Sequence, residues 1–117
     1  MNDNGLLELA AKAAGARPDE GQGEIGLYFG DDGVTFEVFE AGAWRYWNPL
    51  DDDGDALRLA VKLKLDINSY ASTNEVSAVQ HRQRGNYERC FERVEDDPYA
   101  ATRRAIVRAA AEIGRPK

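Results

Sequence analysis

The run Trp47-Asn48-Pro49-Leu50-Asp51-Asp52-Asp53-Gly54-Asp55-Ala56-Leu57-Arg58-Leu59-Ala60-Val61-Lys62-Leu63 decides how the rest of the chain must be arranged. A stiff aromatic approach ends at a proline, and four carboxylates then sit in or just before the first turn of a strongly apolar helix. Unpaired backbone N–H groups and the positive end of the helix dipole favour negative charge there. Asp52 or Asp53 is the expected N-cap, and the helix is expected over residues 53–64. Leu57, Ala60 and Val61 fall on one side, and Ala56, Leu59 and Leu63 widen it. A narrow polar stripe of Asp55, Arg58 and Lys62 is left for water. A face that broad has to be covered by other elements.

Upstream of this helix the apolar period is two. Ile25, Leu27 and Phe29 alternate with small or polar neighbours, Gly30-Asp31-Asp32-Gly33 supplies a turn, and Val34, Phe36 and Val38 alternate again. After Ala41-Gly42, the short aromatic stretch Ala43 to Trp47 is expected as a third antiparallel strand, which Pro49 forces out of the ladder. Residues 16–24 hold Pro18, Gly21 and Gly23 without periodicity and read as an exposed loop. Before them, Asn4 is the expected cap of a helix over residues 4–14, ended by Gly15.

Downstream, residues 65–70 and 75–80 read as strands around the polar turn Ala71 to Asn74. Within residues 86–95, Tyr87, Cys90, Phe91 and Val94 fit helical spacing, yet the segment is too short for a typical helix and follows a Gly-Asn turn, so a strand is preferred. Asp97 caps the last helix, over residues 98–113, with Pro98 in the first turn and Gly114 at its end. Its buried stripe is expected to be Tyr99, Thr102, Ile106, Ala109, Ala110 and Ile113, with Arg104, Arg108 and Glu112 opposite. The elements add up to an α+β domain. An antiparallel sheet of about five to six strands carries three helices.

The 117 residues allow one domain with a modest core. No apolar run approaches the ~20 residues a membrane span needs, and no basic and apolar leader opens the chain, so a soluble cytoplasmic protein is expected. A single cysteine and a single histidine make no Cys/His metal cluster and no internal disulfide. Net charge is −6, unevenly spread. Residues 1–57 carry 13 acidic residues against three basic ones, and the remainder carries 12 basic against eight acidic. Such asymmetry fits either a partner surface or attraction between the two halves of one molecule.

The chemistry-bearing candidates are few. Asp51, Asp53 and Asp55 have the alternate spacing of a calcium loop, but Ala56 stands where that loop needs glycine and Lys62 where it needs a bidentate glutamate. Capping explains them better, and no cofactor or metal is expected. His81 has no nucleophile or carboxylate placed beside it by sequence, and Cys90 in a partly apolar setting reads as a small buried hydrophobe. His81, Arg82, Arg84, Arg89, Arg93, Arg103 and Arg104 gather positive charge around Tyr87 and Phe91, a composition suited to phosphates. Glu88, Glu92 and Glu95 dilute it, and the negative net charge argues against nucleic-acid affinity. Arg103 and Arg104 are as well placed to pair with Asp51 to Asp55. Trp44, Tyr46 and Trp47 offer rigid area for the core first and for partner anchoring second.

Two blocks carry a resemblance: Trp47 to Ala60, and Asp97-Pro98-Tyr99-Ala100-Ala101-Thr102-Arg103-Arg104-Ala105-Ile106-Val107-Arg108-Ala109-Ala110-Ala111-Glu112-Ile113-Gly114. With the opening Leu7 to Gly15 they resemble the phage ABA sandwich domain family of small phage and prophage proteins. The resemblance covers about a third of the chain and leaves out residues 16–43 and 66–96. It implies helices on both faces of a sheet, an α/β/α sandwich, and a phage or prophage origin, without implying any activity.

The functional expectation is a non-catalytic accessory protein that binds a host or phage macromolecule, a protein in the first instance, with Trp47, Asn48, Asp52, Asp53, Arg82, Arg84, Arg103 and Arg104 as candidate binding residues. Sequestration of a nucleotide-like small molecule and an unrecognised enzyme are the alternatives. The sequence leaves the oligomeric state open.

Overall fold

The computed structural model describes residues 2–18, 27–29, 36–40, 42–80 and 89–115. Its elements run α1 (Asp3–Ala13), β1 (Arg17–Pro18), β2 (Leu27–Phe29), β3 (Phe36–Glu40), β4 (Ala43–Tyr46), α2 (Asp53–Leu63), β5 (Leu65–Tyr70), β6 (Glu75–Gln80), β7 (Cys90–Arg93) and α3 (Pro98–Gly114). The α+β class, the three helices and the strand within 86–95 agree with the sequence reading. Among these residues no helix is long and apolar enough to cross a membrane.

The single sheet is corrected. The strands form two sheets, one ordered β1-β2-β3-β4 and one ordered β5-β6-β7. β2, β3 and β4 are antiparallel, as alternation and the Ala41-Gly42 turn imply, but β1 joins β2 in parallel, inside the stretch expected to be loop. The sheets part at Pro49. Its turn and the Asp52 cap send the chain into α2, and β5 emerges beyond that helix with only β6 to pair with. Lys64 makes the reversal in a left-handed conformation, φ 55°, directly between α2 and β5.

A sheet with helices on both faces is corrected too. α3 lies between β5-β6-β7 on one side and α1 and α2 on the other. Its Ala101, Ala105 and Ala109 pack on Val76, Ala78 and Cys90, which places the cysteine as a small buried hydrophobe. Its Ile106, Val107, Ala110 and Ala111 pack with Leu6, Leu7, Ala10 and Ala11 of α1 and with Ala56, Leu59, Ala60 and Leu63 of α2. A helix buried on two sides needs small residues on both, so the expected stripe holds at Ile106, Ala109 and Ala110 but not at Tyr99, which is exposed, while Ala101, Ala105 and Ala111 join the interior. In the other core Phe36 and Trp47 meet edge to face, ring centroids 6.0 Å apart.

The caps follow local chemistry. Asn2, not Asn4, caps α1, its Oδ1 accepting from the Gly5 amide at 2.8 Å, so Asn4 lies in the first turn. Asp52 accepts from the Asp55 amide at 2.8 Å, and Asp97 accepts from Tyr99 and Ala100 at 3.0 and 3.2 Å.

Candidate functional site

The acidic start of α2 and the turn that leads into it from β4 hold four of the eight candidate residues, Trp47, Asn48, Asp52 and Asp53. Asp55 is the centre. Expected to face water, it is 1% exposed, while Leu57 and Val61, expected inside, are 63% and 69% exposed. The helix is rotated relative to the hydrophobic stripe because Asp55 has partners that repay its burial. Its Oδ1 accepts from Arg45 Nη2 at 2.9 Å and Arg58 Nη2 at 3.1 Å, and its Oδ2 from the Asn48 amide at 2.9 Å. Burial pushes its pKa up, but the hydrogen bonds from Arg45, Asn48 and Arg58 outweigh that and hold the carboxyl below its usual value. One carboxylate thereby ties β4, the turn at Asn48 and α2 together.

The other candidates serve the same join. Trp47 is buried in the core beside Phe36. Asn48 Oδ1 accepts from the Leu50 amide at 3.0 Å and stiffens the turn around Pro49. Asp52 is the cap. Asp53 receives Arg103 Nη1 at 2.6 Å, and Arg103 Nε also donates to the Leu50 carbonyl at 2.9 Å. Arg104 parts from Arg103: it reaches Asp3 at 3.0 Å and lies 3.9 Å from Glu92. Arg108 donates to Glu92 and to the Phe91 carbonyl, and the Glu92 contact raises the Arg108 pKa further. Both arginines therefore pair the two charged halves, but the expected contact with the acidic run at 51–55 is made by Arg103, whereas Arg104 reaches Asp3 at the start of α1. Arg82, Arg84 and His81 lie outside the described residues.

What this arrangement can do chemically is limited by how fully it is used. Among the described residues no buried side-chain nitrogen or oxygen lacks a partner, and no group of His, Cys, Asp or Glu is placed to hold a metal ion. An open groove of about 400 Å³ runs between β7 and the start of α3, lined by Glu92, Glu95, Asp96, Asp97 and Arg104 among others. Glu92 there is already bound to Arg108, and Asp97 to the helix it caps.

Large aromatic side chains also reach the surface. Trp44 and Tyr46 project from the outward side of β4, opposite to Arg45 and Trp47, and Tyr46 is 72% exposed. Tyr70 and Phe91 are exposed on the face of β5-β6-β7 that α3 does not cover. Sequence reasoning missed Asp55 and Arg45 as a pair. The signal was there, since Arg45 is the sole cation between Arg17 and Arg58 and stands just ahead of the acidic run. The chain matches no protein-family model, no curated protein and no solved structure.

Proposed function

We propose that this protein works by binding a partner protein and carries no chemistry of its own, in the phage or prophage setting that its resemblance implies. The observation that carries this reading is Tyr46. A large side chain 72% exposed, with Trp44 beside it, stands on β4, the last strand of its sheet. An edge strand offers backbone pairing to an incoming segment, and rigid aromatics anchor interfaces at little conformational cost. The charged residues Asp52, Asp53, Asp55, Arg103 and Arg104 support the reading from the other side, because each is engaged in holding the fold.

The test places a photo-crosslinking phenylalanine analogue at position 46, identifies what it captures from host lysate, and reconstitutes the complex from purified components. Tyr46→Ala is expected to weaken that complex about tenfold or more, with the urea midpoint unchanged. Turnover in metabolite or nuclease screens that a single substitution abolishes would refute the reading.

A further inference from the structure

We propose that the outward face of β5-β6-β7 binds a free nucleotide, with the base laid against Tyr70 and Phe91 and the phosphate held by Arg89. The site is separate from the β4 edge and does not depend on it.

Strand alternation and register assemble the face. Val76, Ala78 and Cys90 turn inward to α3, so Asn68, Tyr70, Ser77, Arg89, Phe91 and Arg93 turn outward. Ser77 sits opposite Asn68 on one side and Phe91 on the other. The Tyr70 and Phe91 rings lean toward each other across β6, centroids 6.0 Å apart and planes tilted by 39°. Beneath them Ser77 is fully buried on a face that no described helix covers. Its hydroxyl accepts from Arg89 Nη1 at 3.1 Å and lies 3.5 Å from the Tyr70 oxygen, so a single serine holds both a guanidinium and an aromatic ring in place.

Each part matches one part of a nucleotide. An exposed aromatic pair offers a planar surface on which any base can stack. The exposed Asn68 amide, in the same row as Phe91, has both a donor and an acceptor for a base edge. Arg89 uses one of its five N–H groups on Ser77 and keeps the others for phosphate, which guanidinium binds in bidentate fashion. Arg93 adds a second cation on the same face, two residues beyond Phe91 and four beyond Arg89, opposite Glu75.

The same face carries Asp66 and Glu75, and the chain has net charge −6. These charges disfavour a long polyanion, while one phosphate needs only one guanidinium. A free nucleotide is therefore the fitting occupant rather than a nucleic-acid strand.

The test is an NMR titration of the ¹⁵N-labelled protein with AMP, GMP, CMP and UMP in turn. For at least one of them, saturable shifts are expected in the amides of β5, β6 and β7, with upfield movement of the base protons. The matching nucleoside, which lacks the phosphate, is expected to bind about tenfold more weakly, as is the nucleotide to Phe91→Ala. Tyr46→Ala should bind as the unaltered protein does. Because Arg89→Gln also removes a bond to a buried hydroxyl, the comparison of nucleotide with nucleoside on the unaltered protein tests the phosphate contact independently of folding. Absence of saturable shifts with all four nucleotides at millimolar concentration would overturn the proposal, as would equal affinity for nucleoside and nucleotide. Tighter binding of a short single-stranded DNA would overturn it in favour of a polymer.

Discussion

Arg103 in the second turn of α3 holds Asp53 at the start of α2, 50 residues away in sequence, through an Nη1 contact of 2.6 Å and a second bond from Nε to the Leu50 carbonyl at 2.9 Å. Its neighbour Arg104 points elsewhere, to Asp3. Two adjacent arginines thus fasten α3 to two different helices, and they differ in burial: the Arg103 side chain is 15% exposed, that of Arg104 40%.

That difference separates their contributions. Arg103→Ala leaves the Leu50 carbonyl and Asp53 without their partner and is expected to cost about 1–2 kcal/mol. Arg104→Ala breaks more exposed ion pairs and should cost about 0.5 kcal/mol or less. Urea unfolding of both variants gives the comparison; equal losses would mean that the partly buried carbonyl contact contributes nothing.

Asp55→Asn removes the charge at the centre of the join. Arg45 and Arg58 keep part of their solvation, so the expected loss is about 2–3 kcal/mol, toward the lower range for breaking a buried pair. The folded carboxyl titrates below its ordinary value of 3.8, so its stabilising contribution is complete above that value and is lost as pH falls through the lower folded value. As pH falls below the ordinary carboxylate value the unaltered protein should therefore lose stability more steeply than Asp55→Asn. Parallel slopes in acid urea titrations would contradict the assignment.

Gly114 closes α3 against α1. In an ordinary helix, glycine to alanine stabilises by roughly 0.5–1 kcal/mol. A Cβ at this position would run into the Leu9 carbonyl oxygen and carbon, backbone atoms that cannot swing aside. Gly114→Ala is expected to destabilise by about 1–3 kcal/mol, the opposite sign. A raised thermal midpoint would show that the two helices have room to separate.

Lys64 occupies a left-handed conformation between α2 and β5, with its amide bonded back to the end of the helix. A β-carbon there costs about 1–2 kcal/mol that glycine avoids, offset in part by the greater freedom of glycine in the unfolded chain. Lys64→Gly should raise stability by about 0.5–1 kcal/mol. Thermal unfolding checks the direction, and a lowered midpoint would refute it.

Sequence alone determined what depends on neighbours within a few residues. Asp97 caps, and Asp52 or Asp53 was bound to, because a short carboxylate next to an apolar run meets bare N–H groups, and Pro98 fits the first turn because its missing donor is not needed there. Alternation at Phe36 to Val38 pointed to a strand there, but the five to six strands expected fall short of the seven described, because β1 at Arg17–Pro18 has no periodicity of its own and is a strand only through its pairing with β2. Tertiary structure decided what depends on contacts between distant residues. Asp55 lies inside because Arg45 comes to it from β4, and Leu57 and Val61 are turned outward as a result, although hydropathy orders them the other way. The strands divide into two sheets because β5 pairs with β6 and not with β4, a choice between partners that periodicity cannot express. Tyr99 is exposed because α3 is enclosed on two sides by elements close enough to admit alanine, and the width of that space is set by α1, α2 and β5-β6-β7 together. Of the candidate site, the residues were legible as types, but their allocation was not: Arg103 to the fold, Arg104 to a different helix, Arg89 to the serine beneath Tyr70. Pairing of charges is a matter of distance in space, and the chain sets that distance only when it has folded.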